Sequence, residues 1–227
     1  NKTLPKTNAV NEEAFKEHFA KILNDYDAII HFDISSEMSS AYQNAVNASK
    51  NFKNVYVVDS RTLSTAISLE AIYAKKLTET MDDPAKIVEL VKKRIPAVQA
   101  SFIIERLDYL YKGGRCSGLA LLGANLLKIR PEIEVLNGNM KNTEKFRGKM
   151  ADCVTKYCRA TLEKYNHPDK SVIFLTHSVA DKELVDAAKA VVSEYGFENV
   201  YETTAGCTVS SHCGKNTLGI LYINDAE

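Results

Sequence analysis

The feature that most limits how this chain can fold is an alternation of short, apolar, β-branched runs with longer stretches of helical periodicity, the pattern of α/β construction. Residues 28–34, 54–59, 101–105, 171–177, 200–204 and 218–223 read as strands. Helical stretches lie at 11–24, 39–51, 62–80 and 83–98, and later at 143–165 and 180–195. The first two strand runs are nearly continuous in apolar residues, as strands covered on both faces are. A parallel sheet with flanking helices is therefore expected for the first part of the chain.

After Pro96 the character changes. The turn at Lys112-Gly-Gly-Arg115 is followed by Gly118, Gly123, Pro131 and the Asn137-Gly138 signal. The segment Leu136-Asn-Gly-Asn-Met140 reads as a hairpin connection, which belongs to antiparallel pairing. The expected fold class is α/β, in two parts. Residues 1–98 form a parallel α/β/α N-terminal domain lacking its first strand, and residues 99–227 a mixed-sheet α+β C-terminal domain. No linker rich in Pro, Gly or Ser separates them. The expectation is a shared interface, a common place for a ligand.

Charge and cysteine usage exclude several classes. The chain carries 29 basic and 29 acidic side chains, so no overall field draws it to nucleic acid or an anionic membrane. The cysteines at 116, 153, 158, 207 and 213 include no C-x-x-C pair, which suggests neither a disulfide framework nor a zinc site. Cys153 and Cys158 read as buried small hydrophobes. No metal and no cofactor are expected. No apolar run is long enough to cross a bilayer, and the start, Asn1-Lys-Thr-Leu-Pro5, lacks the layout of a signal peptide. A cytoplasmic protein is expected, and the start in mid-loop without methionine suggests a missing N-terminal piece.

Three polar clusters stand out. The first is Leu4-Pro-Lys-Thr7-Asn8, ahead of a helix whose first turn holds Glu12 and Glu13; Thr7 or Asn8 could be its cap. The second is Ile34-Ser-Ser-Glu-Met-Ser-Ser-Ala-Tyr-Gln43, where a strand hands over to a helix through four hydroxyls. Such a junction points backbone N–H groups at whatever sits above it and favours a carboxylate or phosphate, although Ser36 or Ser39 could equally cap the helix. The third is the polar loop from Gly206 to Gly219, in which His212 stands among Ser210, Ser211 and Gly214, groups suited to hydrogen-bonding a ligand.

A junction serine paired with His212 would make a small-molecule serine hydrolase or transferase. Yet the G-x-S-x-G elbow is absent, and Asp33 and Asp59, the available third members, lie at strand ends where aspartates commonly cap turns. Phosphate-loop and dinucleotide fingerprints are also absent.

Taken in order, Pro5-Lys-Thr7, residues 34–43, Val57-Val-Asp-Ser60, Tyr109-Leu-Tyr-Lys-Gly-Gly-Arg115, Glu144-Lys-Phe-Arg147-Gly148, and Ser211-His212 with Gly214 and Leu218-Gly219 resemble the DegV family of bacterial fatty-acid-binding proteins. The resemblance implies a two-domain α/β fold holding one long-chain fatty acid in a tunnel between the domains. It also implies a non-catalytic role in which the carboxylate is presented to a separate ATP-using kinase subunit that makes an acyl phosphate; a monomer is expected. By position the carboxylate ligands implied are Thr7, Ser39 with Ser36 as its competitor, and His212. Arg115 and Arg147 match basic positions connected with the domain interface or the kinase partner. This chain departs from the family in lacking its opening segment, in reading Met38-Ser-Ser-Ala41 for Leu-Ser-Gly-Thr, and in reading His212-Cys-Gly-Lys-Asn216 for His-Thr-Gly-Pro-Gly.

Overall fold

The computed structural model describes residues 5–114 and 128–226. Contacts divide the chain into two units. One comprises Asn8–Pro96 with Asn137–Asn139, and the other Asn1–Thr7, Ala97–Leu136 and Met140–Glu227.

In the first unit, helix α1 (Glu12–Ile22) starts at Asn11, whose side chain accepts from the Ala14 N–H at 2.9 Å, with Glu12 and Glu13 at the positive dipole end. The cap is thus Asn11, and neither Thr7 nor Asn8 takes that role. Phe15 and Phe19, one helical turn apart, bury the inner face. Strands β1 (Ile29–Asp33) and β2 (Val55–Asp59) pair in parallel, Ile29 opposite Val55 and Asp33 opposite Asp59. Between them α2 (Ala41–Ser49) turns Ala41, Ala45 and Ala48 inward, and these small side chains pack with α1 and the strands. Helix α3 (Thr65–Leu77) precedes α4 (Pro84–Arg94), where Asp83 caps the Ala85 and Lys86 N–H groups and Pro84 occupies the first turn. The helix expected to run to Val98 ends at Arg94. Pro96 cannot donate to a continuing helix, and Ile95–Ala97 form a 3₁₀ turn instead.

The second unit is a six-stranded mixed sheet in the order β5-β4-β3-β8-β6-β7, from β3 (Val98–Ile103), β4 (Ile129–Leu136), β5 (Asn139–Arg147), β6 (Val172–Ser178), β7 (Asn199–Thr204) and β8 (Thr217–Ile223). β8 lies antiparallel to both β3 and β6, and β6 pairs in parallel with β7. Every residue of β8 is buried. A Cβ at Gly219 would sit 2.5 Å from the Ser101 carbonyl, so the close approach of β3 requires glycine there. Helices α6 (Met150–Lys164) and α7 (Lys182–Ser193) cover one face, with Tyr157, Leu162, Ile173, Ile220 and Tyr222 fully or almost fully buried. Cys153 and Cys158 lie in this core. Short helices α5 (Asp108–Gly113) and α8 (Cys207–Cys213) complete the unit.

Two expectations fail here. The helix read from 143 begins only at Met150, because residues 143–147 belong to β5. Their charged, helix-compatible sequence is overridden by pairing with β4, closed by the Gly148 N–H on the Lys128 carbonyl. The stretch ahead of β8, read as a polar loop, is helical over Cys207–Cys213.

Candidate functional site

The serine junction is organised by Asp59. Its carboxylate accepts the Ser36 N–H at 3.1 Å, the Ser36 hydroxyl at 2.5 Å and the Arg61 N–H at 3.0 Å, as a turn-capping aspartate does. Arg61, at a positive φ of 53°, puts its guanidinium 3.3 Å from Glu37 and donates to the Asn137 carbonyl. Ser35 is buried; its hydroxyl donates to the Gly138 carbonyl at 2.7 Å and accepts from the Glu37 N–H at 3.2 Å.

The three serines thus differ in what their hydroxyls do. Ser36 is exposed and gives its proton to Asp59. Ser39 is half-buried and accepts from the Ala41 N–H at 3.1 Å at the start of α2, a contact that uses a lone pair rather than the hydroxyl proton. The cap residue itself is Ser40, whose side chain makes no capping bond.

In the six-stranded unit the structure brings two of the expected residues together. Thr7 Oγ1 lies 2.7 Å from His212 Nε2, and both are half-buried. His212 is held on α8. The neighbouring hydroxyls are spent locally, Ser210 donating to the Ala205 carbonyl at 3.0 Å and Ser211 to the Cys207 carbonyl at 2.7 Å. The loop that departs from the family pattern is pinned by side chains in place of proline. Lys215 pairs with Asp181 at 2.7 Å. Asn216, buried at φ 62°, accepts from the Asp181 N–H at 2.9 Å and donates to the Glu105 and Asp181 carboxylates at 2.9 and 3.0 Å. Histidine Nε2 faces Thr7, while Ser36 faces Asp59. Arg147 is exposed at the end of β5, and Arg115 lies outside the described residues.

Three buried acids were missed by sequence reasoning. Glu70, on α3, has both carboxyl oxygens buried without a hydrogen-bond partner among the described residues. Burial, reinforced by the Asp59 charge, pushes its pKa up to about 9. The legible signal was its position on the buried stripe Ala66, Leu69, Glu70, Ala74. Glu132, on β4, is pushed up to about 7 by burial and by the neighbouring Glu134 and Glu144 carboxylates, against the opposing influence of Lys164 and of a 3.4 Å bond from Thr161. Glu134 beside it is buried and holds the Lys164 ammonium at 2.6 Å.

Among the described residues no group of three or more His, Cys, Asp or Glu side chains is placed to hold a metal ion. No described helix is long and apolar enough to cross a membrane.

Comparison with known proteins places this geometry in context. A fatty acid-binding protein of Thermotoga maritima is 32% identical over 228 residues, covering 96% of this chain and 76% of the relative. A DegV domain-containing protein of Clostridium acetobutylicum is 31% identical over 222 residues, covering 96% of this chain and 78% of that one. Among solved structures, a DegV lipid-binding protein of Thermotoga maritima superposes with a TM-score of 0.86 at 27% identity, covering 100% of this chain and 80% of its own. A second protein of that organism, described as revealing a fatty acid binding function, gives 0.84 at 28% identity, covering 99% and 79%. The model of the DegV family, described as uncharacterised proteins, matches residues 1–225, and the chain belongs to the DegV family.

Proposed function

We propose that this protein binds a long-chain fatty acid and, without catalysing a reaction itself, presents the carboxylate to a kinase subunit that forms an acyl phosphate. The observation that carries the reading is the 2.7 Å contact between Thr7 and His212, which are remote in sequence, in a chain whose relatives include a fatty acid-binding protein. Ser39 is the further donor in this reading, since its hydroxyl proton is not used in its bond from Ala41. Ser36, whose proton goes to Asp59, is a positioning group.

The chemistry suits a carrier. Neutral hydroxyls compensate a carboxylate for leaving water, each contributing about 0.5 to 1.5 kcal/mol net, without the tight charge-assisted pairing that an arginine would impose. Burial of the acyl chain at about 0.8 kcal/mol per methylene supplies most of the affinity. The head groups orient the acid and the hydrocarbon binds it. Arg147 and Arg115 are the basic positions assigned to the kinase contact.

Native mass spectrometry of the protein purified from bacteria is expected to show one co-purified fatty acid per chain. A folded protein that carries none, and takes up none when offered hexadecanoate, overturns the binding role. The kinase step is tested separately, by ATP-dependent formation of acyl phosphate from the loaded protein and a fatty acid kinase subunit.

A further inference from the structure

Gly113, within the motif Tyr109-Leu-Tyr-Lys-Gly-Gly-Arg115, lies against His212. A Cβ built at Gly113 would fall on His212 Nδ1, and would lie 3.3 Å from Cε1 and 3.5 Å from Cγ. The backbone at the end of α5 therefore covers the Nδ1 edge of the imidazole, and only glycine leaves it room. The same two helices meet again in the opposite sense. A Cβ at Gly214, the residue after α8, would sit 2.6 Å from Cδ2 of Tyr109 on α5. Each helix thus lays a ring over a glycine of the other. Leu110, fully buried, fixes α5 in the unit. Gly114, at φ 68°, ends the helix with its N–H on the Tyr111 carbonyl.

We infer that Gly113 is a positioning residue: it seats the His212 ring so that Nε2 meets Thr7 and the threonine hydroxyl is aimed at the ligand's carboxylate. This rests on the fatty-acid reading above and names what builds its head-group site. Proton order makes the ring's orientation matter. A histidine that donates from Nε2 to Thr7 Oγ1 leaves the threonine's own O–H for the carboxylate, whereas a ring turned about its Cβ–Cγ bond puts a carbon where Nε2 should be. The ring edge facing Gly113 is closed by backbone. The edge facing Thr7 is fixed by a 2.7 Å contact, so the orientation is determined from both sides.

A double-mutant cycle tests it, with dissociation constants for hexadecanoate and for methyl hexadecanoate measured on wild type, Gly113→Ala, His212→Ala and the double variant. Gly113→Ala and His212→Ala are each expected to weaken hexadecanoate binding about tenfold, with methyl ester binding within about twofold of wild type. The double variant is expected to be no weaker than His212→Ala, because removing the ring gives the added methyl its space. Additive losses, or a Gly113→Ala variant that binds hexadecanoate as wild type does, overturn the inference. Nitrogen-15 spectra of the histidine ring in ligand-free protein provide a readout independent of lipid. Gly113→Ala is expected to displace the His212 Nδ1 and Nε2 signals, and unchanged signals in a folded variant overturn the positioning role. If wild type binds no acid while those signals move, the fatty-acid reading fails and the positioning of His212 stands.

Discussion

In the β1–β2 unit most of the polar junction is built from one stretch of chain and the strand end beside it: Ser35 and Ser36 meet Asp59, Arg61 and Thr62, all placed by the register that sets Asp33 opposite Asp59. In the six-stranded unit the corresponding polar pair joins positions 205 residues apart, and its geometry depends on α5, α8 and the chain before α1 all packing correctly. The first arrangement follows mainly from hydrogen bonds between adjoining strand ends, with Ser35 and Arg61 as its further anchors on the Gly138 and Asn137 carbonyls. The second is only as good as the packing behind it. The buried acids repeat the contrast. Glu70 in the first unit has no hydrogen-bond partner among the described residues, whereas Glu132 in the second has the Thr161 hydroxyl and lies near Lys164.

Glu70 should give the largest effect. The folded protein keeps its proton from the ordinary carboxylate value of 4.5 up to about 9, and the unfolded chain does not. Stability must therefore fall as pH rises through that interval, at up to about 1.4 kcal/mol per pH unit, and level off above it. Glu70→Gln removes the slope and keeps the shape. Its advantage over wild type is expected to grow by as much as about 4 kcal/mol between pH 5 and pH 8, and to be still growing at pH 8.5, read by denaturant unfolding. An advantage independent of pH would mean that Glu70 finds a partner or solvent in solution.

Glu132 tests the other side of the contrast with a smaller effect. Its proton is retained only from 4.5 to about 7, so the same sign applies over a narrower window. Glu132→Gln is expected to gain at most about 3 kcal/mol on wild type between pH 5 and pH 7, and nothing further between 7 and 9. The two variants should separate cleanly above neutrality. If both kept diverging from wild type up to pH 9, the Thr161 and Lys164 contacts would not be moderating Glu132 as their geometry implies.

The contrast also marks what could be read in the chain. The strands of the β1–β2 unit, 29–33 and 55–59, fall inside the expected runs because they are apolar and bounded by Asp and Ser. β3 begins earlier than expected, at Val98, because the inward-facing Gln99 and Ser101 interrupt the apolar pattern with groups that find their partners only in the fold, Gln99 donating to Ser101 and Ser101 sharing a bond with Tyr157. β4 was given no bounds, although the hairpin connection read at 136–140 implied a strand before it. Its buried Glu132 and Glu134 read as surface residues until α6 supplies Thr161 and Lys164. The same applies to the site. The serine junction announced itself by local spacing, but Gly113 could be read only as part of a turn and of the motif at 109–115, since its task is to leave room for a ring from the far end of the sequence.

The smallest expected effects are in the junction, and they divide stability from binding. Ser36→Ala removes a short hydroxyl bond to Asp59 and leaves the carboxylate with the Ser36 and Arg61 N–H groups, so a loss of about 1 kcal/mol in stability is expected. Its proton was never available to a ligand, and hexadecanoate affinity should stay within about twofold of wild type. Ser39→Ala deletes an acceptor for one N–H at the start of α2, an exposed-end contact worth about 0.5 kcal/mol, but also removes the hydroxyl proton assigned to the carboxylate. Its affinity for the acid should fall by about 1 kcal/mol, roughly fivefold, with methyl hexadecanoate affected less. The two substitutions therefore cross: one lowers the melting temperature more, the other the affinity. If Ser36→Ala proved the stronger binding defect, the roles within the junction would be exchanged. Asp59 would then release the Ser36 proton when the ligand arrives, and the junction would be as dependent on rearrangement as the Thr7–His212 pair is on packing.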